Sequence, residues 1–171
     1  MTALAFVDTN LLIHSRDSAD ASRHAMARAW LDLLWRDRTG RISAQVLSEY
    51  FNVATRKPRP AIDPEDAWGD VQELMPWNPV ATDGDLLTEA WTLQRRYRIN
   101  WWDALIVAAA IRQGCGVLLS EDFQDGMQFG PVRVMNPFTH RVGEHAAVYA
   151  ALPRAAALHR GRGRPKRRTA A

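Results

Sequence analysis

The sequence predicts an α/β fold, a three-layer α/β/α sandwich around a central, mostly parallel sheet of about five strands. Three observations predict it. Short apolar runs of strand length alternate with longer stretches of helical periodicity, as the crossover connections of a parallel sheet require. The stretch Leu105 to Ile111 is apolar on every face, so it belongs inside the molecule rather than on its surface. Apolar runs also stop at acids, once at Asp8 and again before Asp122, which brings both to the edge formed by the carboxyl ends of the strands.

Ala3-Leu-Ala-Phe-Val7 is the first strand, ended by Asp8-Thr-Asn10, and Leu11-Leu-Ile13 resumes the apolar pattern. Ala21 to Trp35 carries Ala25, Ala29, Trp30, Leu33 and Leu34 opposite Arg23, Arg28 and Asp32, an amphipathic helix that Gly40 is expected to close. A second strand begins at Arg41-Ile-Ser43. Gln45 to Ala54 is helical, with Val46, Tyr50 and Val53 on one stripe widened by Leu47, Phe51 and Ala54. Prolines make Arg56 to Pro60 a loop, and Asp63-Pro64 opens the next helix, which runs through Trp68, Val71 and Leu74 until Pro76 stops it. Asn78 to Thr82 suits a third strand. Asp83 to Tyr97 is an amphipathic helix bearing Leu86, Leu87, Ala90, Trp91 and Leu93, with cations at its negative end. Asn100 caps the apolar helix, Gly114-Cys-Gly116 ends it, Val117-Leu-Leu119 is a fourth strand, and Pro131 to Met135 a fifth.

A length of 171 residues with 47% hydrophobic content suits one compact domain with a sizeable core. Cys115 is the single cysteine, which excludes a disulfide framework and a cysteine-rich zinc site and points to the cytoplasm. No signal peptide or membrane span is evident, so a soluble protein without membrane contact is expected. Residues 1–153 hold 15 Lys and Arg against 19 Asp and Glu, whereas Arg154 to Ala171 holds seven basic residues and no acid. The net +3 is thus an acidic body of −4 with a +7 arm.

Each acid has an ordinary reading. Asp103 lies three residues after Asn100, where a carboxylate caps unpaired N–H groups and meets the helix dipole. Asp8 either caps the next helix or stands at a ligand-binding sheet edge, and a helical glutamate such as Glu49 is ordinarily a solvated surface residue. None of the five histidines forms a spaced pair, so surface or packing roles are expected for them; no Ser-His-Asp set or glycine-rich phosphate loop is evident.

Phe6-Val-Asp-Thr-Asn-Leu-Leu-Ile13, Ser48-Glu-Tyr50, Trp102-Asp-Ala-Leu-Ile-Val-Ala-Ala109, Leu118-Leu-Ser-Glu-Asp-Phe123 and Val134-Met-Asn-Pro-Phe138 resemble, in order, the successive motifs of PIN-domain proteins, in particular the VapC toxins of bacterial toxin–antitoxin pairs. Each motif is short; the ordered set, spanning Ala3 to Phe138, is specific. The resemblance implies a PIN-like nuclease domain over residues 1–140; outside it, the shift in charge and composition sets a linker or short terminal extension at 141–153 and a basic, disordered tail at 154–171. The resemblance also implies an endoribonuclease dependent on Mg²⁺ or Mn²⁺, homodimeric, whose crevice a co-encoded antitoxin blocks. Carried over residue by residue, the acidic quartet falls on Asp8, Glu49, Asp103 and Asp122. Asp8, Asp103 and Asp122 would be metal ligands, Glu49 would orient water or hold a second metal, and Thr9, Asn10 and Ser120 would support them. The family's T-x-D pattern assigns Asp122 rather than Glu121; Glu121 and Asp125 are near enough to substitute, and are otherwise loop surface charges.

The chemistry is consistent with that implication. Four adjacent carboxylates repel one another, so they persist together if a cation neutralises them, and an all-oxygen donor set suits Mg²⁺ or Mn²⁺. Phosphodiester hydrolysis is the natural reaction of such a site. In the tail, Arg160-Gly-Arg162-Gly-Arg164-Pro-Lys166-Arg167-Arg168 resembles the AT-hook, a minor-groove binder, but the pattern is short and the simpler reading is a non-specific basic arm for any phosphate backbone of DNA or RNA. The alternative to a ribonuclease toxin is therefore a nucleic-acid-binding module in which the PIN scaffold is retained and the tail does the binding.

Overall fold

The computed structural model describes residues 3–57 and 61–139. The extension expected at 141–153 and the basic arm with Arg160, Arg162, Arg164, Lys166, Arg167 and Arg168 lie outside the described residues. The elements are β1 (Ala5–Val7), α1 (Thr9–His14), α2 (Ala21–Asp37), β2 (Gly40–Arg41), α3 (Ala44–Ala54), α4 (Pro64–Leu74) with a 3-10 turn at Met75–Trp77, α5 (Gly84–Tyr97), α6 (Trp101–Arg112), β3 (Val117–Leu119), β4 (Gln128–Phe129) and β5 (Val132–Met135).

The sheet has the order β2-β1-β3-β5-β4. The first three pairings are parallel and β4 joins β5 antiparallel, so the mostly parallel α/β sheet of five strands is found. Every residue of β1 and β3 is buried, which requires cover on both faces and accounts for their unbroken apolar runs. In α6, Ala104 to Ala110 are all buried, as expected for a helix without a polar face; it packs against α5, β3 and β5. Among the described residues no helix is long and apolar enough to cross a membrane.

The strand count matches, but its membership differs. Asn78 to Thr82 makes only one isolated bridge, Val80 beside Ser43, because Pro79 offers no N–H to a ladder and Asn78 turns the chain with a φ of 57°. The fifth strand is instead Gln128–Phe129, which pairs back on β5 across the two-residue turn Gly130-Pro131, with Gly130 at a φ of 56°. Two apolar stripes are also wider than the core they cover. Trp68, Leu87 and Trp91 face solvent, while the smaller Ala67 and Ala90 beside them are buried.

Gly40 does not close α2. That helix ends at Arg38, in the left-handed region at a φ of 56°, and Gly40 is the first residue of β2. Its place is a close approach: a Cβ there would stand 2.6 Å from the Trp77 ring, and Trp77 is itself buried and packed on Trp35. Gly40→Ala is expected to destabilise the fold by about 1–3 kcal/mol in urea unfolding. Combining it with Trp77→Leu should restore part of that loss, giving a non-additive cycle.

Candidate active site

β1 and β3 run in register, Val7 beside Leu119, and the Asp8 amide continues the ladder by donating to the Leu119 carbonyl at 3.1 Å. Asp8 and Ser120 therefore stand side by side just past the strand ends. Ser120 Oγ donates to Asp8 Oδ2 at 2.6 Å, and Asp8 Oδ1 accepts the Thr9 amide at 2.7 Å. The second contact caps α1, so both sequence readings of Asp8 apply to one side chain. Asp8 is only 6% exposed and Ser120 is fully buried.

The same serine shapes the turn that follows. Ser120 Oγ accepts the Asp122 amide at 3.1 Å, and the exposed Asp122 carboxylate meets Asn10, whose Nδ2 lies 3.1 Å from Asp122 Oδ2 and 3.4 Å from both Asp8 Oδ2 and Ser120 Oγ. Asn10 Oδ1 is buried with no protein partner. From α3, half-buried Glu49 accepts Thr9 Oγ1 at 3.1 Å on Oε2 and Gln45 Nε2 at 2.8 Å on Oε1. From α6, Asn100 holds Asp103 reciprocally: Oδ1 accepts the Asp103 amide at 2.9 Å and Nδ2 donates to Asp103 Oδ2 at 2.6 Å.

The four acids share one electrostatic field. Burial pushes the Asp8 carboxyl from 3.8 up to about 6; the charges of Asp122 and Glu49 push the same way, against the Ser120 and Thr9 hydrogen bonds. Asp103 is raised as well, by burial first and then by Asp122 and Glu49, with Asn100 opposing. Among the described residues no basic side chain forms an ion pair with any of the four.

This donor set fits a hard cation. It is all oxygen, it is uncompensated by protein cations, and it includes the orphaned Asn10 carbonyl. Among the described residues no three acidic, histidine or cysteine side chains stand close enough together to hold a metal ion as they are placed; the carboxylates are engaged instead by Ser120, Thr9, Asn10, Gln45 and Asn100. A metal would replace some of those contacts.

Two candidates are drawn away from the cluster. Glu121 accepts from Arg23 Nη1 and lies 2.9 Å from His14 Nε2, with Arg23 and His14 both against the Phe138 ring. Asp125 accepts the Asn136 amide at 2.8 Å. Gln45 is the site residue that sequence reasoning missed; its signal was the i, i+4 spacing from Glu49 on one helix face. A separate cleft, lined by Ser15, Arg16, Asp32, Tyr50, Asp70 and Leu74 among others, shares no residue with the acids, and Tyr50 donates to Asp70, which Arg16 pairs at 3.0 Å.

Residues 5–124 match the family model of the PIN domain. The chain belongs to the PIN domain family. That span contains all four acids of the cluster. No curated protein matches the chain. Among solved structures, this PIN domain is similar to a toxin–antitoxin complex from Klebsiella pneumoniae, at 19% identity and a TM-score of 0.55 over 81% of this chain and 99% of that one. It is similar to VapBC2 of Rickettsia felis bound to a DNA fragment from their promoter, at 16% identity and a TM-score of 0.57 over 78% and 98%. It is also similar to VapC20 of Mycobacterium tuberculosis, a sarcin-ricin loop cleaving toxin, at 24% identity and a TM-score of 0.57 over 75% and 98%.

The raised Asp8 has a consequence for stability. A carboxyl whose folded value of about 6 exceeds its ordinary 3.8 stabilises the fold fully below the lower value, and that stabilisation is lost as pH rises through the upper one. In chelator, the stability advantage of Asp8→Asn over the parent should grow from near zero at pH 4 to as much as about 3 kcal/mol at pH 7. Unfolding titrations of both proteins across that range check it, and asparagine retains the helix cap.

Proposed function

We propose that the protein is a Mg²⁺- or Mn²⁺-dependent endoribonuclease that hydrolyses RNA phosphodiester bonds and acts as the toxin of a toxin–antitoxin pair. The observation that carries this reading is the convergence of Asp8, Glu49, Asp103 and Asp122, unpaired with any described cation, at the carboxyl edge of the sheet in a PIN domain. Similarity to toxin–antitoxin complexes supports an antitoxin partner, and similarity to a toxin that cleaves the sarcin-ricin loop supports RNA as the substrate class.

In this reading Asp8, Asp103 and Asp122 hold the ion. When bound, the metal supplies Lewis acidity at the scissile phosphate and a water of lowered pKa. Glu49, held on one oxygen by Thr9 and on the other by Gln45, orients the attacking water. Asn10 and Ser120 fix Asp8 and Asp122 relative to each other. The protein acts in the cytoplasm as a homodimer, and the tail from Arg154 attracts the polynucleotide through its phosphates.

The test uses protein purified free of antitoxin and an RNA substrate. Cleavage should require Mg²⁺ or Mn²⁺ and stop with chelator, and Asp8→Asn or Asp103→Asn should lower the rate by about a hundredfold or more. Equal cleavage by parent and variants would reject the assignment. Removing residues 154–171 should leave kcat intact while raising KM and flattening its dependence on salt; a parent that binds but does not cleave, and whose binding vanishes with that deletion, would favour the tail-centred alternative.

A further inference from the structure

Trp102 stands at the threshold of the acid cluster with its ring in solvent. It is 63% exposed, more than any other large hydrophobic side chain described, yet it immediately precedes Asp103 in the first turn of α6. Exposure alone would mean little, because single apolar residues are common on surfaces and Trp68 and Trp91 are half exposed too. Position sets Trp102 apart, since among the described residues Trp68 is as free of ring and cation partners but lies on α4, whereas Trp102 adjoins an acid of the cluster. The Trp91 ring is covered by Arg95 at 5.8 Å and Trp35 packs on Trp77 at 5.1 Å, whereas among the described residues no ring or cation covers Trp102.

The backbone of Trp102 is also tied to the acids. Its carbonyl accepts Gln45 Nε2 at 3.5 Å, and the same nitrogen donates to Glu49 Oε1 at 2.8 Å. The root of the exposed indole is therefore two hydrogen-bond lengths from one carboxylate of the site and one residue from another. Capping by Asn100 and burial of the helix from Ala104 onward hold that root still. A free, rigidly rooted indole beside a phosphodiester-cleaving centre has the chemistry that recognises an unpaired base: a broad apolar face that stacks on any nucleobase, available when the strand is single.

We propose that Trp102 is a stacking platform for a nucleobase flanking the scissile phosphate, so that the site selects single-stranded over paired RNA. The inference rests on the ribonuclease reading above. The indole contributes face-to-face contact without hydrogen bonds to base edges, so it favours strandedness rather than a particular sequence. Its contribution is independent of salt, unlike contacts made by basic side chains to phosphate.

The test measures binding apart from chemistry. The full chain, with Ca²⁺ in place of Mg²⁺ to occupy the oxygen site, is titrated into a labelled single-stranded RNA of about ten nucleotides and followed by anisotropy. Trp102→Ala should weaken binding about tenfold, equally at low and high salt, while Trp102→Phe stays within about threefold of the parent. With Mg²⁺, Trp102→Ala should raise KM far more than it lowers kcat, and cleavage of a fully paired duplex should not change with the substitution. If the parent cleaves RNA and Trp102→Ala binds single strands as tightly as the parent, the stacking role is overturned and the ribonuclease reading stands. If Trp102→Ala converts a dimer to a monomer in light scattering without changing affinity, the ring belongs to a protein contact and the proposal is overturned. A parent that neither binds nor cleaves RNA with any of these ions overturns both.

Discussion

The Asp8 amide donating to the Leu119 carbonyl carries the pairing of β1 and β3 one residue beyond the strands, and the site depends on that register. A slip of one residue would turn Asp8 to the opposite face of the sheet and leave Ser120 facing nothing. Strands that are buried throughout cannot slip without exposing a face, so the core fixes the register and the register fixes the serine against the carboxylate. Ser120 then does two things with one oxygen, donating to Asp8 and accepting the Asp122 amide. Among the described residues the acids are held apart by neutral polar groups rather than by cations, so no positive charge opposes the burial that pushes the Asp8 carboxyl above its ordinary value.

Much of the fold is legible in the chain because burial dictates composition. A helix with no polar face, such as Ala104 to Ala110, can only sit inside, and two apolar runs ending in acids can only meet at one sheet edge if their strands are parallel. The width of the core is not legible in the same way. Periodicity marks which residues share a face but not how far the neighbouring elements extend over it, so Trp68, Leu87 and Trp91 lie on apolar stripes although the core stops short of them. The third strand failed for a more local reason, a proline without a donor beside an asparagine with positive φ. The hairpin strand at Gln128–Phe129 is too short for any periodicity to register.

The acids themselves were legible as a pattern of strand and helix ends, while the groups that aim them were less so. Asn100 is readable as a cap, yet its amide also grips the Asp103 carboxylate, a second use of one side chain that spacing does not reveal. Gln45 resembles any polar helix residue until the turn of α6 comes within its reach. Glu121 and Asp122 are neighbours of like charge and could not be separated by the residues alone. The structure separates them by partner, since Arg23 and His14 occupy one and Asn10 meets the other.

The two outer strands, Gly40–Arg41 and Gln128–Phe129, are each two residues long. A border so short offers almost no free backbone for another chain to zip onto, so the sheet is closed to growth at both sides. Among the described residues, a second copy would find little main chain to pair with at either border, and far more side-chain surface on the helices.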